Sequence, residues 1–199
     1  MDRKEEIVLA TLTLASTYGL KGISMSMIAE RVGIKKPSLY KHFASKDEII
    51  NAMYQYLREE SKKNINIVTI KDNSIYNDKN PYLLLKEMVD SYIKMNNDSK
   101  MMMFYKVIYS ERSIDPMAAK IMVEETERMI NATKYVFNML MENKLLYFKD
   151  IEMSSISFAM TIHGLMDYEL DKRNSLNENN NFNIDDYLKY FCVVNKYEK

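Results

Sequence analysis

Six cations stand between residues 21 and 46: Lys21, Arg31, Lys35, Lys36, Lys41 and Lys46. Only Glu30 opposes them, so the window carries a net charge of +5. His42 lies among them, and Ser24, Ser26, Ser38 and Tyr40 add hydroxyls. Such a set suits the holding of phosphate. Ammonium groups neutralise phosphate oxygens irrespective of base sequence, while small residues at a helix start let the backbone approach base edges. Residues 1–20 sum to −1 and residues 47–199 to −4. The zero charge of the whole chain therefore conceals one basic window.

Other chemistry has little to work with. The chain has two histidines, His42 and His163. No phosphate-binding glycine loop, paired-histidine metal motif or nucleophile elbow is present. We expect no catalytic residue, no cofactor and no metal site. A helical enzyme is the weakest alternative, since a Ser-His-Asp arrangement would rest on His163 alone. Cys192 is the single cysteine. It excludes a disulfide scaffold and a cysteine-based zinc site within one chain, and it fits a reducing cytosol.

The elements that hold the basic window are helices. Ile7, Ala10, Leu14 and Tyr18 recur at helical spacing and predict a first helix stopped by Gly19. Ser24 caps a short second helix carrying Ile28, Ala29 and Val32, ended by Gly33. A third begins at Lys36-Pro37, where a proline lacking its N–H costs nothing, and Lys36 is a candidate cap. Its apolar side is Leu39, Tyr40 and Phe43. Ser45 or Asp47 opens a fourth through Ile49, Ile50, Met53 and Leu57. Helix, glycine turn and second helix set the second helix across the first.

These residues resemble the DNA-binding signature of TetR-type (tetracycline-repressor) regulators. Ser24, Ile28, Ala29, Gly33, Leu39, Tyr40, His42, Phe43, Lys46 and Ile49 match the motif in order. The resemblance covers about 26 residues, counted from Ser24 to Ile49. Val32 and Lys35 depart from it, the latter where the family usually has a serine cap. The resemblance implies an all-α fold. Its parts are an N-terminal homeodomain-like three-helix domain with a helix-turn-helix and a C-terminal helical domain for ligand binding and dimerisation. It also implies roles. Ser24 and Ser26 approach phosphates or an edge base. Lys35, Lys36, Pro37 and Ser38 start the reading helix, with Lys36 reaching guanine acceptors and Pro37 a thymine methyl. Tyr40, His42 and Lys46 hold phosphates. Lys41 joins them on its charge alone, which gives a sequence-independent phosphate contact.

Residues 1–63 are expected to form the DNA-binding domain, 64–80 a polar, Asn-rich linker, and 81–199 the effector and dimer domain. Beyond residue 80, Asn80-Pro81, Asp115-Pro116, Asp150 and Asn183 open helices. Their stripes are Leu85-Met88-Val89-Tyr92, Met101 to Tyr109, Ile121-Met129-Ala132-Val136-Leu140, Ile156-Ala159-Met160-His163-Met166-Leu170 and Ile184-Tyr187-Leu188-Phe191-Val194. Residues 174–183 are expected as an Asn-rich loop. The last two stripes suit a four-helix interface between two copies. The chain holds 17 Met, 15 Tyr and no Trp. Tyr92, Met103, Tyr105, Tyr109, Met129, His163 and Asp167 are candidates to line an adaptable pocket for an unknown small-molecule effector.

The expected partners are therefore a near-palindromic double-stranded DNA operator, an effector and a second copy of the chain. The alternative is a DNA-binding adaptor of the same fold with no effector. No apolar run approaches the ~18 residues of a membrane span. The mixed-charge start opens no signal peptide. We expect a cytoplasmic protein with no membrane partner.

Overall fold

The computed structural model describes residues 2–64, 80–96, 99–175 and 183–197. Among these residues there are nine α-helices and no strand, only an isolated bridge between Leu146 and Lys196. The helices are α1 (Arg3–Gly22), α2 (Met25–Val32), α3 (Lys36–Tyr40), α4 (Lys46–Asn64), α5 (Pro81–Asn96), α6 (Ser99–Glu111), α7 (Pro116–Glu142), α8 (Ile151–Asn174) and α9 (Ile184–Val194). No described helix is long and apolar enough to cross a membrane. Most of the expected linker and of the Asn-rich loop lies outside the described residues.

Packing divides the chain into two units: residues 1–66 with 95–124, and 67–94 with 125–199. This division does not coincide with the functional one expected from the sequence. α6 and the first turns of α7 pack with the N-terminal helices, because Met101, Phe104, Val107, Ile108, Ala118 and Ile121 are buried in the same core as Ile7, Leu12, Ile28, Leu39, Ile49, Met53 and Leu57. α2 and α3, at 8 and 5 residues, are too short to persist alone in water. Ile28 and Leu39, both fully buried, each contribute about 1.5–3 kcal/mol by leaving water. Tertiary burial holds these helices in place.

The second core is aromatic. Phe137 stacks on Phe148 at 4.3 Å and meets Phe158 and Phe191 at 5.2 and 5.4 Å. At its edge the Tyr82 hydroxyl of α5 donates to Asp185 of α9, and Lys189 pairs with the same carboxylate at 2.7 Å. These bonds hold the Asp185 carboxyl below the usual aspartate range, Lys189 contributing most.

Polar caps start several helices where the sequence predicts them. Asp115 Oδ1 accepts from Met117 N–H at 2.8 Å, Asp150 from Met153 N–H at 3.0 Å, and Asn183 from Asp186 N–H at 2.9 Å. Each such cap contributes about 1 kcal/mol. α1 breaks at Gly19 as the sequence predicts, the backbone leaving helical geometry there (φ 70, ψ 162), and a further turn follows to Gly22. One expectation needs correction. The buried face of α8 is Ser155, Phe158, Ala159, Ile162 and Leu165, so the expected stripe is rotated and Met160 and Leu170 face out. Apolar residues of α8 fall on most of its sides with polar ones between them, so period could not choose a face. Packing against Phe137 and Phe191 did, through Phe158.

Candidate nucleic-acid interface

Ser24 starts α2 in extended backbone, and its hydroxyl accepts from Met27 N–H at 3.3 Å. Gly33 ends α2 in the left-handed region (φ 74). Its N–H bonds to Glu30 O at 3.0 Å, and Ile34 N–H to Ala29 O at 2.9 Å. This glycine turn closes the helix and redirects the chain into α3.

Lys35, not Lys36, caps α3. It is extended (φ −73, ψ 143), and its carbonyl accepts from Ser38 and Leu39 N–H at 2.8 and 3.2 Å. Lys36 enters the first turn with Pro37 behind it. Proline's locked φ suits that turn, and one extended residue ahead is enough to begin it. The cap has no side-chain oxygen.

The surface so built is polar and cationic. Lys35, Lys36, Pro37, Tyr40 and Lys41 are exposed, Ser38 and His42 half-buried. Leu39 and Phe43 are buried and anchor α3 from behind. Ser24 and Ser26 are exposed on α2. At the start of α4, Ser45 Oγ accepts from Glu48 N–H at 3.1 Å, and the Glu48 carboxylate accepts from Ala44 N–H at 2.6 Å. This reciprocal cap fixes the turn after α3.

Lys46 stands apart from the other lysines. Its ammonium is half-buried and donates to the carbonyl oxygens of Leu20 at 3.0 Å and Ile23 at 3.2 Å. It is committed to the α1–α2 junction. The N–H of Leu20 donates in turn to Glu111 Oε1 of α6 at 3.2 Å, and Glu111 is buried. Sequence reasoning passed over Glu111. The signal was present: Phe104, Val107, Ile108 and Glu111 share one helical stripe, which places a carboxylate on the buried face.

The candidate effector residues fall in both packing units. Met103 and Tyr105 are half-buried against the first core, and Tyr109 holds the Arg112 guanidinium over its ring at 4.4 Å. Tyr92, Met129 and His163 are half-buried in the second unit, where Asp167 is exposed. His163 Nδ1 lies 3.5 Å from Asp167 Oδ2. Cys192 is half-buried, and burial pushes its thiol up to about 11, which keeps it from being a ready thiolate. Among the described residues no cluster of three or more His, Cys, Asp or Glu is placed to hold a metal ion.

α8 and α9 carry an outward apolar face. Met153 and Met160 on α8 are 56% and 48% exposed; Tyr190, Val193 and Val194 on α9 are 64%, 73% and 55% exposed. Gly164 leaves open space beside Met160's turn.

Comparison with known proteins gives this geometry a place. The family model for bacterial regulatory proteins of the tetR family matches residues 7–53. The nucleoid occlusion factor SlmA of Yersinia enterocolitica is 28% identical over 85 residues, which is 42% of this chain and 43% of that protein. The match thus spans less than half the length of the curated relatives. In structure, the chain resembles a Mesorhizobium loti MAFF303099 protein provisionally placed in the TetR family, with a TM-score of 0.69, 19% identity and 98% of both chains covered. It also resembles the flavonoid-responsive regulator FrrA, with a TM-score of 0.62, 18% identity and 98% coverage of both. At such identities the likeness shows the fold.

Proposed function

We propose that this chain is a TetR-family DNA-binding transcriptional regulator, supported by the family match over residues 7–53, and that it acts as a homodimeric repressor released by a small molecule. The observation that carries the proposal is α3. A buried Leu39 anchors a single short helix whose outward residues are Lys36, Pro37 and Tyr40, with Lys41 exposed at its C-terminal end. Lys36 and Pro37 read base edges in the major groove, while Tyr40, Lys41 and His42 hold phosphates. Residues 1–63 supply the reading head, and the helices beyond residue 80 supply dimer contact and effector response, with 64–80 joining them.

The exposed apolar face of α8 and α9 supports a second copy of the chain as partner. Two heads about 34–36 Å apart meet successive major grooves of a near-palindromic operator. An effector that favours a different spacing lowers affinity, and a coupling of ~1–3 kcal/mol suffices. Tyr92, Met129, His163 and Asp167, all within the second packing unit, remain the proposed effector contacts. The flavonoid response in FrrA's name supports a small-molecule effector for this fold. The test is titration of the purified protein against DNA from its own promoter region at several salt concentrations. Selective, salt-sensitive binding by a dimer is expected. Equal affinity for unrelated DNA would sink the reading.

A second reading is a DNA-binding adaptor that needs no effector. The match to nucleoid occlusion factors favours it. A thermal-shift screen with cationic drugs, acyl compounds and metabolites separates the two. A compound that raises Tm and releases DNA supports the repressor; binding that no compound alters supports the adaptor.

A further inference from the structure

We propose that Glu111 is a positioning residue for the reading head, acting through the backbone of Leu20. The inference rests on α2 and α3 being the DNA-binding pair and adds to it a residue that touches no DNA.

The argument begins at Gly19. Its φ of 70 and ψ of 162 lie in a region essentially confined to glycine. α1 therefore turns out of line one residue before Leu20, and four residues later Ser24 caps α2. Whatever fixes Leu20 fixes where α2 begins. Two charged groups do so from opposite sides. The Glu111 carboxylate accepts the Leu20 N–H at 3.2 Å, and the Lys46 ammonium donates to the Leu20 carbonyl at 3.0 Å and to the Ile23 carbonyl at 3.2 Å.

Leu20 and Ile23 are 6% and 3% exposed and Glu111 is 8% exposed, so water competes little for these bonds. A carboxylate is costly to bury without partners, and charge-assisted bonds are stronger than neutral ones. The anion lies on the amide side and the cation on the carbonyl side of the same residue, each matched to the dipole end it faces. α6 packs along α1 through Phe104, Val107 and Ile108, and Glu111 is the last residue of that helix. The polar grip thus sits where α6 ends and α1 breaks. It ties the path of the chain into α2 to the position of α6 and of the α4 start together.

The test uses the full chain and its promoter DNA, with affinity measured across salt concentrations and hydrogen exchange read at the Leu20 amide. Glu111→Leu removes the acceptor and keeps the site apolar. It is expected to weaken specific binding by roughly fivefold or more. The slope of affinity against salt should stay that of the parent, because no phosphate contact is lost, and Leu20 exchange should quicken. Glu111→Gln keeps an acceptor oxygen and should restore both. Lys46→Met, which loosens the other side, should reproduce the loss at unchanged slope.

A folded Glu111→Leu protein with parental affinity overturns the proposal, even if its Tm falls, since that is what a purely structural glutamate gives. If Glu111→Leu does not fold, Lys46→Met decides. Parental affinity, or a slope lowered by about one phosphate contact, overturns the clamp. Failure of the parent protein to bind selectively defeats the DNA-binding reading itself and is seen before any variant is made.

Discussion

The Tyr54 hydroxyl of α4 donates to Asp115 Oδ2 at 3.3 Å, while Oδ1 of the same carboxylate caps α7. Tyr54 is buried, and burial first, then Asp115, pushes its pKa above the ordinary value of 10.0. A raised folded pKa means that the unfolded tyrosine ionises first as pH rises. The stabilisation is complete below pH 10.0 and is lost progressively above it. Tyr54→Phe should cost about 0.5–1.5 kcal/mol at neutral pH and should flatten the alkaline fall in stability. Denaturant midpoints measured at neutral and alkaline pH check this. An unchanged alkaline slope would falsify the assignment.

Lys36 and Lys41 lie on the same short helix and its end, yet they are assigned different work. Lys36→Ala is expected to cost about 1–3 kcal/mol on the preferred operator and to relax base preference at one position of each half-site. Lys41→Ala should weaken all sequences alike and lower the salt slope by about 0.9 per head. Binding to a library of operator variants at two salt concentrations separates these outcomes. Identical effects of the two substitutions contradict the roles.

Val193 is the most exposed of the large apolar side chains on α9, at 73%. With a second copy on this face, Val193→Asp places two charges in an apolar contact. The variant should run as a monomer by light scattering and retain its helical content. Operator affinity should fall by about 10²-fold or more, because one head then binds without the other. A stable dimer carrying aspartate at this position moves the interface elsewhere.

Gly33 and Lys144 both have positive φ, 74 and 54, each just past a helix. Lys144 has a Cβ where the left-handed region favours none. Lys144→Gly is expected to stabilise the protein by roughly 0.5 kcal/mol, the relief of strain exceeding the added chain entropy. Gly33→Ala should do the reverse, costing about 1 kcal/mol. A Cβ at Gly33 meets no atom within 4 Å, so that cost comes from the backbone alone. Thermal denaturation of the two single variants tests the opposite signs.

The sequence by itself determined the order of the helices and where many begin. Ser24, Asn80, Asp115, Asp150 and Asn183 each stand where a side-chain oxygen reaches an amide of the first turn. Such caps are local: the two partners lie two or three residues apart in the chain. The helix-turn-helix was legible for the same reason, its glycine turn, Pro37 and basic window all lying within residues 21–46. Tertiary structure decided what lies between distant residues. Nothing near Lys46 foretells that its ammonium is held by carbonyls 23 and 26 residues away, nor that Glu111 reaches an amide 91 residues earlier. On α8, apolar residues on most sides left the buried face open until Phe137 and Phe191 selected Phe158 and turned Met160 outward. Period identifies a helix, but only the partners it meets choose which of two apolar faces is the core.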